Sequence, residues 1–381
     1  MEFFATTRFL TATCLMALSV VSQVGLSKEL RWTHYGVRPL AMGNAFVSVA
    51  DDHNALFYNP AGLARIDSWS LELINPRLGV SANTIATIND VKKLTGGGAS
   101  GSSGSNSTQA ALSTFKSLQG KPQYFTIGWT PHFVMQNFGL GIGVDLGGSM
   151  VIHHQISADI DMGVDVIAPV GFAGSFLEDR LKVGAAVKLV ARTGVEREFS
   201  LADISAFSAS EDNTDSNDKK LKDYVQSGRG VGSDFGILFT PVKTMEPTLG
   251  ISLIDAGGTP LKASSDEFGK PTPRQPTLNT GVSFKPYTSG SMYLLTAAEV
   301  HAANQPIHFS KKFNLGSEFG MGKVFKVQMG LHQGEISGGF QLDAWLLVLR
   351  FATYAEQLGS YAGQDKLLAD RRYLLEMKML L

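Results

Sequence analysis

Between Lys182 and Arg192 the chain alternates strictly. Val183, Ala185, Val187, Leu189 and Ala191 share one face of an extended strand, and Lys182, Gly184, Lys188 and Arg192 share the other. The same two-residue period recurs further on. Phe325, Val327, Met329 and Leu331 oppose Lys326, Gln328, Gly330 and His332, and Tyr373, Leu375 and Met377 oppose Arg372, Glu376 and Lys378. A strand with one apolar and one charged face must hide one of them from its surroundings. A soluble sandwich buries the apolar face in a core. A transmembrane barrel turns that face to lipid and lines its lumen with the polar one. Periodicity fits both.

Three further features select the barrel. The alternating segments are about ten residues long, the length of a tilted membrane strand. The chain begins with an export signal and is nearly free of cysteine. The connections also alternate in length. About fourteen segments can be read, at 68–80, 122–134, 137–151, 155–173, 180–196, 228–241, 247–256, 276–286, 291–301, 308–320, 322–332, 335–343, 346–357 and 370–381. The long connections, including the Gly/Ser-rich run at 96–107 and the charged stretch at 200–227, fall almost entirely in odd-numbered positions. Outer-membrane barrels keep short turns on the periplasmic side and long loops outside, which predicts periplasmic N- and C-termini. The hairpin near Ala344 is the least marked of the series. After the leader, no run reaches the 18 or so apolar residues of a transmembrane helix, so a membrane location requires a closed barrel.

Residues 1–27 read as a signal peptide, with Arg8 ahead of an apolar stretch from Phe9 to Val24 and small residues Gly25 and Ser27 before the cleavage point. The single cysteine, Cys14, falls inside it, so the mature chain has no thiol chemistry and no disulfide. A net charge of −1 gives no footing for nucleic acid, and the 41 glycines suit strands and a crowded barrel interior.

One stretch breaks the pattern. Gly36 to Leu63 is helix-like, with Leu40 to Ala50 reading as one helix behind Pro39 and His53 to Phe57 as a second, stopped at Asn59-Pro60. Within it stand Met42-Gly43-Asn44-Ala45, Ala50-Asp51-Asp52 and Asn59-Pro60-Ala61-Gly62-Leu63. This succession resembles the N-terminal segment of the FadL-type outer-membrane transport proteins and their relatives, which include the barrel of type IX secretion. The resemblance covers about thirty residues. It implies an all-β membrane protein, a roughly 14-stranded antiparallel barrel over 67–381, with residues 28–66 folded inside as a small helical plug. It also implies that the Asn-Pro-Ala lies where plug meets wall. The implied activity is passive passage of hydrophobic small molecules such as long-chain fatty acids. The alternative is a non-transporting relative that anchors or shuttles exported proteins, so the expected partners are a hydrophobic molecule or lipid, outer-membrane lipid, the barrel-assembly machinery and, in the alternative, a secreted protein. The chain ends Met379-Leu380-Leu381 and so departs from the terminal aromatic usual in such barrels.

Catalytic groupings are not evident. His153 and His154 are adjacent and point to opposite strand faces, so they do not chelate one metal. Asp145, Asp159, Asp161 and Asp165 read as lumen acids facing Lys182, Lys188 and Arg192. Gly139, Gly141 and Gly143 are strand glycines rather than a phosphate loop, since no helix follows. The sequence therefore predicts no enzyme, cofactor or metal. The apolar residues of the inner segment, Leu40, Phe46, Val47, Leu56, Phe57 and Tyr58, read either as a small core packed against the wall or as the lining of a ligand pocket, and Arg38 either as the partner of Asp51, Asp52 or a lumen acid or as the partner of a ligand carboxylate. Gly43, Asn59, Pro60, Ala61 and Gly62 form the motif itself.

Overall fold

The computed structural model describes residues 36–88, 116–153, 157–200, 224–263, 270–322, 324–344, 346–358 and 368–379. The signal-peptide reading, Cys14, the Gly/Ser run, most of the charged stretch, His154 and the last two leucines lie outside them.

Fourteen antiparallel strands close into one barrel. They are β1 (Ser70–Glu72 and Pro76–Ser81), β2 (Gln123–Trp129 and His132–Met135), β3 (Phe138–Gly141 and Gly143–Ile152), β4 (Ser157–Phe176), β5 (Leu181–Ser200), β6 (Gln226–Phe239) and β7 (Thr248–Ile254). The circuit continues with β8 (Thr277–Ser289), β9 (Met292–Val300), β10 (Phe313–Met321), β11 (Phe325–His332), β12 (Glu335–Ala344), β13 (Leu347–Gln357) and β14 (Ala369–Met379). Each strand pairs with its sequence neighbour, and β14 closes on β1 through Leu375↔Leu78. The hairpin near Ala344 is present, with Ala344 paired to Leu347. Residues 82–122, 153–156, 201–225, 255–276, 301–312, 333–334 and 358–368 connect strands at one end. The shorter 136–137, 177–180, 240–247, 290–291, 322–324 and 345–346 connect them at the other.

Which face is buried decides between the two architectures. On β5, Val187 and Leu189 are 57% and 62% exposed, while Lys188 between them is 1% exposed. The same inversion holds on β11, where Met329 faces out and Gln328 is buried. Apolar residues cover the outside and charged ones the inside, which is the arrangement for lipid. The interior charges are paired across strands. Lys188 bonds Asp234 at 2.7 Å and lies 3.0 Å from Asp255, Arg192 holds Asp161 and Asp165 at 2.5 and 2.8 Å, and Arg77 meets Asp145. Asp159 meets His153 rather than a cation of β5, and Lys182 donates to the Asp179 carbonyl. Among the described residues no helix is long and apolar enough to cross a membrane.

Residues 36–66 lie inside this wall. They form α1 (Val37–Ala41), α2 (Ala55–Tyr58) and a 3-10 turn, Pro60–Arg65. The helix expected through Ala50 therefore stops at Ala41. Gly43 and Asn44 take φ of 63° and 64°, a left-handed pair that reverses the chain, and the Asn44 N–H closes back on the Pro39 carbonyl. Leucine, alanine and valine favour helix on average, but two consecutive left-handed residues end it.

Candidate functional site

The inner segment is seated where the wall lacks side chains. A Cβ built on Gly184 of β5 would lie 2.4 Å from the Ala61 nitrogen, and one on Gly236 of β6 would meet the Asn59 carboxamide. On β7, Gly250 leaves room for the Ser48 backbone, and on β10 and β11 Gly316 and Gly330 leave room for Met42 and Gly43. Glycine is required here by close approach of the inner segment, through its backbone at Gly184, Gly250, Gly316 and Gly330 and through the Asn59 side chain at Gly236.

Asn59 is the joint. Its Nδ2 donates to the carbonyl of Val47 at 2.9 Å and reaches those of Ile237 and Ile251 at 3.3 and 3.4 Å, while its Oδ1 accepts from the Ala61 N–H. One buried side chain thus links two parts of the inner segment to β6 and β7. Pro60 follows at the first position of the 3-10 turn, where a missing N–H costs nothing, and Gly62 packs against the Ala50 backbone. Arg65 completes this side, bonding the Ser48 carbonyl at 2.9 Å and Thr248 Oγ1 at 2.8 Å.

The opposite side is ionic. Arg38 is buried and makes four hydrogen bonds. Its Nε and Nη2 hold both oxygens of Glu318 on β10 at 2.7 and 2.9 Å, and its Nη1 reaches Asp51 at 2.5 Å and Asp52 at 3.0 Å. Burial alone would pull the Arg38 pKa down; Asp51, Glu318 and Asp52 reverse this and hold it above its ordinary value. Burial pushes Asp52 up, but Arg38 and Arg350 hold it well below the usual carboxylate range. The guanidinium is committed to carboxylates of the protein itself. A second anchor is Glu299 on β9, whose Oε2 accepts from the backbone N–H groups of Phe46 and Val47 at 2.7 and 2.9 Å.

Between the two anchored sides lies an apolar cluster. Phe46, Leu56, Phe57 and Tyr58 pack with Leu63 and with Val134, Ile167, Val190 and Leu261 of the wall and its connections. Phe46 and Tyr58 meet edge to face at 5.5 Å, and the Tyr58 hydroxyl donates to Asn44 Oδ1 at 2.9 Å. Leu40 does not join them; it packs with Val37, Ala41, Tyr354 and Leu374 in a separate group. Val47 is buried, but its contribution to the seat is through its backbone.

One part of the wall faces this cluster with glycine. Leu56 and Leu63 reach Gly139 of β3 and Gly171 of β4, and Leu56 also approaches Gly141. The strand pairing is interrupted close by. Leu73 to Asn75 on β1, Thr130 and Pro131 on β2, and Ile142 on β3 all fall between two paired runs. Asn75 partly substitutes, exchanging hydrogen bonds with the Thr130 backbone. On β4 the neighbouring Pro169 has no N–H to give.

The pairing of Arg38 with Asp51, Asp52 or a lumen acid, read from the sequence, is present with all three, but neither Glu318 as the lumen acid nor Glu299 under Phe46 could be named from the sequence. Glu318 and Glu299 are single acids at inward positions of strands, and only a known register places them opposite Arg38 and Phe46.

No protein-family profile and no curated protein matches the chain by sequence. By structure it is similar to the CymD monoaromatic hydrocarbon channel at 11% identity and a TM-score of 0.55, covering 92% of this chain and 99% of that one. It is similar to the Pseudomonas putida toluene transporter TodX at 11% identity and a TM-score of 0.51, over 93% of this chain and 100% of that one. A deltaS2S3 mutant of the TodX monoaromatic hydrocarbon channel aligns at 12% identity and a TM-score of 0.56, over 91% of this chain and 99% of that one.

Proposed function

We propose that this chain, whose fold is similar to that of the FadL-type channels, is an outer-membrane barrel that passively passes small hydrophobic molecules, long-chain fatty acids and hydrocarbons among them. In this reading residues 28–66 are a plug, the termini are periplasmic, and the protein is a channel rather than an enzyme. The observation that carries the reading is the apolar cluster of Phe46, Leu56, Phe57, Tyr58 and Leu63 abutting a glycine window in a wall that is otherwise charged inside. A lumen built only for ions or water has no use for such a cluster, whereas ligand sites for apolar molecules are lined in this way. The likeness to channels whose names specify monoaromatic hydrocarbons and toluene supports the substrate class. The interruption of pairing across β1 to β4 supports passage sideways at the window, since part of the strand ladder is missing there.

The test is uptake of labelled oleate and labelled toluene into liposomes carrying the purified protein, its folding checked by heat-modifiable gel migration. Uptake faster than in empty liposomes, reduced by a bulky residue in the window, is the expected result. Uptake equal to that of empty liposomes overturns the channel reading, and a secreted protein that co-purifies stoichiometrically would then point to the anchor or shuttle.

A further inference from the structure

A second group of side chains lies toward the end of the barrel with the short connections, and the proposed channel makes no use of it. His53 of the inner segment, Glu72 of β1 and His132 of β2 are all buried, and each offers one ligand atom within 4.8 Å of the others. His132 Nε2 is 3.4 Å from Glu72 Oε2. Two ligands at neighbouring corners of a tetrahedron, each about 2.0–2.1 Å from a central ion, stand about 3.4 Å apart.

The hydrogen-bond pattern also fits a cation. His132 Nδ1 lies 2.9 Å from the Thr130 carbonyl. A carbonyl only accepts, so Nδ1–H donates to it, and in the neutral ring Nε2 keeps its lone pair. That outer hydrogen bond is the usual means of orienting a ligating histidine. His132 Nε2 is buried against the Glu72 carboxylate.

We propose that His53, Glu72 and His132 form a site for one divalent transition-metal ion of the zinc type, which joins the inner segment to the first two strands. Two imidazoles and one carboxylate suit zinc or its late-row neighbours and not calcium or magnesium, which want oxygen. Three protein ligands leave a fourth position for water.

Two features set what the ion must displace. Lys378 holds both oxygens of Glu72 at 2.7 and 2.6 Å, so its ammonium occupies the charge that the metal would take. The His53 and His132 rings are stacked at 4.1 Å and 10°. His132 is pinned through Thr130, so His53 is the ring that turns out of the stack when the ion enters.

The test uses the full-length protein without an affinity tag, in detergent, titrated with Zn²⁺ by calorimetry and with Co²⁺ by visible absorption. One Zn²⁺ per chain is expected, with an intense four-coordinate Co²⁺ spectrum. His53→Gln and His132→Gln should each weaken binding ~10-fold or more, since loss of a ligand costs no less than loss of its outer partner. His153→Gln, outside the cluster, should leave it unchanged. Lys378→Met removes the competing ammonium and should tighten binding by a similar factor. No stoichiometric zinc, equal binding in the His53 and His132 variants, or a Lys378→Met variant that binds no tighter each overturns the site. Should those variants lose heat-modifiable migration, X-ray absorption of the zinc-loaded native protein decides. Two imidazoles at the ion uphold the site, and fewer overturn it.

Discussion

Arg38→Met tests what fixes the inner segment in the barrel. Three acids face this guanidinium, but they do not count equally. Asp51 is 40% exposed and Asp52 20%, so water screens those pairs, whereas Glu318 is fully buried and takes a two-pronged contact. Breaking a buried pair by removing one partner costs about 3–5 kcal/mol, because the other charge is left behind. Here Tyr293 Oη and Gln328 Nε2 still donate to Glu318, at 2.7 and 3.0 Å, which places the loss at the lower end. About 3 kcal/mol corresponds to roughly a 100-fold rise in the fraction of undocked segment, at 1.4 kcal/mol per tenfold. Hydrogen exchange read by mass spectrometry reports this directly, as lost protection in peptides from residues 36–63 while the strand peptides keep theirs. The double variant Arg38→Met with Glu318→Leu removes both charges and should recover most of the protection. A loss in the single variant of less than about threefold, or no recovery in the double, would refute the claim that this ion pair holds the segment.

Gly184→Ala places a Cβ against the Ala61 backbone and should cost about 1–3 kcal/mol of docking, seen as faster exchange near Asn59. Gly174→Ala has its nearest neighbour at 3.5 Å and should leave exchange unchanged. Lys188→Met leaves Asp234 and Asp255 facing each other in the wall, and should destabilise the barrel by about 3–5 kcal/mol, read as a lower temperature for the heat-modifiable shift. Gly171→Val fills the window beside Leu63 and should cut uptake of labelled hydrophobic molecules without changing that temperature; Leu63→Ala should raise uptake, at about 2–5 kcal/mol of packing.

The strands were legible because the two-residue period is a direct projection of strand geometry. Lys188 between Val187 and Leu189 already states that one side of β5 is charged. The barrel followed from connection lengths, which the chain order carries without any contact being known. The interior was less legible, because its contacts are remote. Arg38 and Glu318 are 280 positions apart, and their meeting depends on where the inner segment turns. That turn was misread as helix because Leu40 to Ala50 is rich in helix-tolerant residues, while Gly43 and Asn44 act through backbone angles that composition reports weakly. Gly139 and Gly141 were recognised as strand glycines, but nothing local says that Leu56 and Leu63 are what they make room for.

The seat of the inner segment is uneven, and the unevenness bears on how the proposed channel would work. Toward β6 and β7 it is held by Asn59 and Arg65, and toward β9 and β10 by Glu299 and Arg38. These are directional contacts between buried polar groups, and separating any of them leaves a donor, an acceptor or a charge without a partner. Toward β3 and β4 the contact is chiefly Leu56 and Leu63 against glycine, with one backbone bond from the Asn137 N–H to the Leu63 carbonyl. Apolar contact is non-directional, so a hydrophobic guest can replace those leucines without orphaning a polar group. Expelling the whole segment costs the sum of the polar anchors. Shifting two leucines costs part of one apolar contact, which the guest itself restores. The lower-cost route for a hydrophobic molecule is therefore past Leu56 and Leu63 at the window, with Arg38 and Asn59 still bonded. On that route, substitutions at the anchors change stability without changing uptake, whereas substitutions at the window change uptake, with whatever packing they also cost.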